Sequence, residues 1–185
     1  MQKYEVGDRI EEPRAATRQS PVSSLQPLAS KLPIAIWVFT ATIAITIVGL
    51  IIAAPLAQAN GHAAFAFSIY NVFHFVCHQL PERSFHLAGY QFAVCARCTG
   101  LYSGFASATL LYPLARSLER TDTPSRIWLL LAAVPLGVDF GLGYFGIWEN
   151  THLTRFVTGA LLSTTAVFYI MPGLIQLTRR HQQEQ

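Results

Sequence analysis

Charge is what this chain of 185 residues has least of: 12% of its positions are Asp, Glu, Lys or Arg, against 52% hydrophobic residues. A soluble domain carries about 25% charged residues, so the shortfall is roughly twofold. That composition excludes global disorder and collagen-like repeats, and it offers no basic tract for nucleic acid. No internal repeat and no glycine-rich nucleotide-binding fingerprint is present. Cysteine is scarce as well, with three residues in the whole chain.

The apolar residues are gathered into runs. Four stretches reach the length of about 20 residues that a helix needs to cross a bilayer core. They are 33–54, which has no charge; 96–115, with Arg97 at its start; 127–148, with the acid Asp139; and 156–177. Arg155 precedes the last of these, and Arg179 and Arg180 follow it. Their many β-branched residues do not argue against helix, because lipid forces backbone hydrogen bonds to close within each segment. The expected fold is all-α: an integral membrane helical bundle of about four transmembrane helices, plus a short interfacial or re-entrant helix over 63–76. Residues 1–32 read as a flexible cytoplasmic tail, 33–178 as the transmembrane domain with its motifs in 60–165, and 179–185 as a cytoplasmic C-terminal tail.

Basic residues orient the bundle, since Lys and Arg are retained on the cytoplasmic side. With both termini inside, Lys3, Arg9, Arg14, Arg18, Lys31, Arg116, Arg120, Arg126, Arg179 and Arg180 are cytoplasmic. Those are ten of the 13 basic residues, and only Arg83, Arg97 and Arg155 fall outside. Making 63–76 a full span would leave eight inside and five outside, a weaker bias. Ala57-Gln58-Ala59 resembles a signal-peptide cleavage site, but the preceding run exceeds the usual 7–15 residues and follows a long polar leader.

All three cysteines fall between positions 77 and 98, as Cys77-His78 and Cys95-Ala96-Arg97-Cys98. On a helix, His74, Cys77 and His78 would share one face, and Cys95, Cys98, Thr99 and Tyr102 another. Thiolate sulfur and imidazole nitrogen suit zinc, so Cys77, His78, Cys95 and Cys98 are the expected metal ligands; copper or iron fits the same donors. The same residues suit thiol–disulfide exchange: a C-x-x-C pair at a helix N-terminus, with Arg97 inside it, has both dipole and cation to lower a thiol pKa. A third reading makes them small buried hydrophobes in a packing or partner-binding subunit, with Gly100 and Gly104 as the close-approach residues. Gly137 and Gly141 form a second pair of that spacing, also read as packing.

The outward charges gather at the same place. An acid inside a span is costly and points to a function and a partner; Arg155 and Arg97 are the partners expected for Asp139. Arg83, Arg97 and Arg155 at a membrane interface suit an anion, such as an anionic lipid phosphate or a small carboxylate. Asp139, Arg155 and Tyr102 are the catalytic candidates. The lipid bilayer is the one partner the composition demands, and the oligomeric state is left open.

The string Cys77-His78-Gln79, Arg83-Ser84-Phe85, Cys95-x-Arg97-Cys98-x-Gly100-x-Tyr102-x-Gly104, followed by Asp139 and Asn150…Arg155-x-x-Thr158-Gly159, resembles the small prokaryotic membrane proteins grouped as domain of unknown function 2085. The resemblance covers roughly residues 60–165. It implies a prokaryotic plasma-membrane protein of the architecture above and carries no assigned reaction.

Overall fold

Apolar runs that must satisfy their backbone internally become helices, and the computed structural model, which describes residues 26–183, has five. They are α1 (Gln26–Ala59), α2 (Ala63–His74), α3 (Ala96–Ala115), α4 (Arg126–Tyr144) and α5 (His152–Gln183). A 3-10 turn (Pro81–Arg83) and a hairpin of β1 (His86–Leu87) and β2 (Tyr90–Gln91) lie between α2 and α3. Lys3, Arg9, Arg14 and Arg18 lie outside the described residues. α1 begins at Gln26, inside the stretch expected as a tail, and α5 runs on through Arg179 and Arg180 to Gln183.

Among the described residues three helices are long and apolar enough to cross a membrane: α1 over Lys31–Ala59, α4 over Arg126–Tyr144 and α5 over His152–Gln182. Four were expected. α3 has the length, at 20 residues, but Arg97, Thr99, Ser103, Ser107 and Thr109 dilute its apolarity. Its position explains that composition. α3 packs along α5 and against α1, so many of its side chains meet protein and need not resemble lipid. Three of its hydroxyls close locally, Thr99 Oγ1 donating to Cys95 O at 3.1 Å, Ser103 Oγ to Thr99 O at 2.7 Å and Ser107 Oγ to Ser103 O.

Close backbone approach fixes the α3–α5 pair. A Cβ on Gly100 would collide with the carbonyl oxygen of Phe156; one on Gly104 would come within 2.6 Å of Ala160 O; one on Gly159 within 2.5 Å of Arg97 O. From Gly100 with Phe156, through Gly104 with Ala160, to Tyr112 with Phe168 the contacts advance in the same direction on both helices, so α3 and α5 run parallel and the chain returns through α4. Small residues at such a crossing let van der Waals contact replace the hydrophobic drive that lipid does not supply. The second glycine pair does not pack: a Cβ at Gly137 or Gly141 would meet nothing within 4 Å.

The two ends of the bundle are tied differently. At one end Trp37 Nε1 donates to Thr109 O at 2.7 Å, Tyr169 Oη to Ser125 O at 2.7 Å and Gln176 Nε2 to Thr121 O at 2.6 Å. At the other, the cysteine end, α2 folds back along α1 so that Ile69 and Phe73 pack with Ile51 and Ala54. Twelve residues of α2 measure about 18 Å, too short to cross. α4 stops at Tyr144, short of the expected Trp148, and the chain then turns through Gly146 at φ 66°. Asp139 therefore lies five residues, about 7.5 Å, from the end of its helix, closer to the end of the span than the longer helix would have put it.

Candidate functional site

Each cysteine is placed by a separate device. α2 ends at His74 because the chain tightens behind it, with Val76 and Cys77 N–H both donating to Phe73 O at 3.1 and 2.9 Å. Cys77 and His78 thus lie beyond the helix, and the expected helical face of His74, Cys77 and His78 does not form. Cys77 turns inward among Ile51, Phe73 and Ala93, while His74 and His78 are exposed.

Gln79 then enters the left-handed region at φ 53°, a conformation that costs a residue with a Cβ about 1–2 kcal/mol. Its side chain offsets that cost by joining two elements: Nε2 donates to Tyr70 O on α2 at 2.7 Å and to Ala93 O at 2.8 Å. Tyr70 Oη in turn donates to Gln91 O at 2.6 Å. The hairpin turns through Ala88 and Gly89, both at positive φ (53° and 84°), as a two-residue connection requires. Its second strand leads to Ala93, whose N–H reaches Ile51 O on α1 at 3.4 Å, and then to Cys95, the N-cap of α3.

The result is a three-sulfur cluster. Cys95 N–H donates to Cys77 Sγ at 3.2 Å, and the Sγ atoms of Cys77, Cys95 and Cys98 all lie within 4.8 Å of one another as free thiols. Among the described residues no other trio of His, Cys, Asp or Glu converges in this way. The Cys95 thiol is held far below its ordinary range, chiefly by hydrogen bonding from Cys77 and then from Cys98; the N-terminus of α3 acts in the same sense. Tyr102, one turn beyond Cys98, packs against the apolar residues that enclose Cys77, its ring edge-on to Phe73 at 6.1 Å. His78 is outside the trio.

Arg97 leaves the same helical turn on another side. Its guanidinium meets Asp139 Oδ2 at 2.5 Å and sits 5.5 Å from the centroid of the Phe140 ring. Of the two partners expected for Asp139, the fold thus selects Arg97. The Asn150 side-chain amide donates to the main-chain carbonyl of Asp139, and Gly143 leaves room for it, since a Cβ there would stand 2.9 Å from Asn150 Nδ2. Arg83, Arg97 and Arg155 then line one cavity of about 180 Å³ with Phe140, Tyr144 and Asn150. Arg83 is brought there by the 3-10 turn, which is held to α5 by His152 Nε2 against Glu82 O at 3.1 Å and by Phe85 packing on Phe156 at 5.9 Å.

Sequence reasoning gathered the residues of both sites but gave Gln79, Phe140 and Asn150 no role. Gln79 and Asn150 stand in the motif string, and that was their only signal. Residues 77–169 match the family described as predicted membrane protein (DUF2085), half of the chain. The chain belongs to that family. An uncharacterised protein, MJ1492 of Methanocaldococcus jannaschii, is 38% identical over 109 residues, covering 59% of this chain and 70% of the relative. An uncharacterised protein of Methanothermobacter thermautotrophicus is 37% identical over 87 residues, covering 47% of this chain and 77% of the relative. No solved structure matches the chain. The DUF2085 match begins at Cys77 and takes in Cys95, Cys98, Asp139 and all three cavity arginines.

Proposed function

We propose that this DUF2085 protein is a four-span membrane protein that holds a soft metal cation, zinc in the first instance, on Cys77, Cys95 and Cys98 at its extracytoplasmic end. The convergence of three sulfurs within 4.8 Å carries the reading. Zinc–sulfur bonds of about 2.3 Å put two ligands of a tetrahedral ion roughly 3.8 Å apart, so the cluster needs a contraction of about 1 Å at most. Thiolates select zinc or copper(I) over hard cations. With His78 outside the trio, a fourth position stays open, as in zinc sites that bind water or substrate and unlike closed structural sites.

The parallel run of α3 beside α5, from Gly100 and Phe156 at one end to Tyr112 and Met171 at the other, supports α3 as the fourth span. Alternating helices then put Lys31, Arg116, Arg120, Arg126, Arg179 and Arg180 at one end, and Arg83, Arg97 and Arg155 at the cysteine end. By the positive-inside bias the first group is cytoplasmic.

Metal analysis of the purified full chain tests the reading. One equivalent of zinc, copper or iron per chain is expected, kept in His78→Ala and lost in Cys98→Ser. A metal-free protein with a reducible Cys95–Cys98 disulfide would overturn it in favour of thiol exchange. No metal and three free thiols would reduce the cluster to packing.

A further inference from the structure

The cavity beside the cysteine cluster has a charge that the protein leaves unbalanced. Three guanidinium groups line it, from Arg83, Arg97 and Arg155, and one carboxylate, Asp139, is paired with Arg97. The described residues contain two salt bridges, Arg97–Asp139 and Arg116–Asp122, so neither Arg83 nor Arg155 has an acidic partner within 4 Å among them. The Nε atoms of Arg97 and Arg155 are both buried without a hydrogen-bond partner. A guanidinium cannot relieve this by losing its proton, and a buried donor left unsatisfied costs about 1–3 kcal/mol, more for a charged group.

The surrounding groups leave little else to balance the charge. Phe140 and Tyr144 are aromatic, and Asn150 is neutral, with one N–H of its side-chain amide given to the Asp139 carbonyl. Glu82 adjoins Arg83 in sequence but forms no salt bridge with it, and its own carbonyl faces His152. The cavity, about 180 Å³, is smaller than the roughly 300–1,000 Å³ of pockets that take drug-sized ligands. It is the size of a compact group. Its depth is informative too, because it is built from the last turns of α4 and the first turn of α5, at the end of two spans, where lipid headgroups lie.

We infer that this cavity is a phosphoryl-binding site: Arg83 and Arg155 grip the oxygens of a tetrahedral anion, and Arg97, held in the wall by Asp139, adds its positive charge. Guanidinium forks match phosphate oxygens in geometry and charge. Three positive groups less one carboxylate leave a net charge of two, which suits a singly or doubly ionised phosphoryl group. The same chemistry is offered by an anionic lipid headgroup and by free phosphate. The site is independent of the metal reading, since no sulfur lines it.

The test uses the full chain in dodecyl maltoside, a detergent that carries no phosphate. Radiolabelled inorganic phosphate is titrated in one arm. In the other, delipidated protein is offered phosphatidylglycerol against phosphatidylcholine, and retained lipid is read by native mass spectrometry. Saturable binding of one equivalent is expected in at least one arm, weakened tenfold or more by Arg83→Gln and by Arg155→Gln. It should be unchanged by Arg120→Gln at the far end. Binding in the first arm alone assigns a free anion, and in the second alone a lipid headgroup. Arg83 is exposed, so its variant stays interpretable if Arg155→Gln misfolds; Arg155→Lys, which keeps the charge and loses the fork, should fall between. No saturable binding in either arm, or binding indifferent to Arg83→Gln, overturns the proposal.

Discussion

The two Arg–Asp pairs of this protein have the same length and different meanings. Arg97–Asp139 and Arg116–Asp122 both close at 2.5 Å, but the acid is 8% exposed in the first and 74% exposed in the second. The first joins residues 42 apart in sequence, on α3 and α4, beneath a cavity of further arginines. The second staples a loop of the opposite end, six residues apart, where Arg116 also donates to the Asp122 main-chain carbonyl. An exposed pair gains little over its hydrated ions. A buried pair stabilises only because breaking it strands a charge, and its use is to specify which helix faces which.

Removing one acid from each pair should separate them. Asp139→Ala is expected to cost up to about 3 kcal/mol, because Arg97, only 22% exposed, is left without its carboxylate, and Asp122→Ala to leave unfolding in detergent nearly unchanged. Equal losses would show that burial does not distinguish the pairs.

The glycine pairs give the same contrast in packing. Gly100→Ala forces a Cβ onto the backbone of Phe156 and should destabilise by about 1–3 kcal/mol, or more if α3 and α5 cannot separate. Gly137→Ala meets nothing within 4 Å and should be neutral or stabilising by up to about 1 kcal/mol through helix propensity. Thermal unfolding of the two variants side by side decides this, and a neutral Gly100→Ala would refute the close crossing.

The smallest effect belongs to the exposed pair and appears in pH. The Arg116 guanidinium holds the Asp122 carboxyl below its ordinary value of 3.8. A depressed carboxylate contributes its stability above the unfolded pKa and loses it as pH falls through the folded one. The loop contact should therefore persist at pH 5 and fade below 3.8, with an NMR titration midpoint for Asp122 under that value. A midpoint at or above it would mean that the pair is absent in solution.

Helices α1, α4 and α5 were legible in the sequence because a lipid-facing segment must be apolar along its length. α3 was legible as an apolar run, but it falls short of the hydropathy of the other three. Serine, threonine and glycine are tolerated where α1 and α5 cover it, and coverage is not a property of the segment itself. The convergence of Cys77 with Cys95 and Cys98 was legible from their clustering. The exclusion of His78 was not, because it depends on α2 ending at His74 and on the left-handed turn at Gln79. Arg97 as the partner of Asp139 was one of two choices open to charge arithmetic.

The scarcity of charge, read from sequence alone, determined that this is a helical membrane protein and that its three outlying arginines keep company with its cysteines. Composition can do this because the bilayer penalises each misplaced charge independently of its neighbours. Only the tertiary structure decided that the start of α3 faces two ways, sending Cys95 and Cys98 toward Cys77 and Arg97 toward Asp139, Arg83 and Arg155. Those directions depend on contacts between residues up to 70 positions apart, such as His152 with Glu82, which no local pattern encodes.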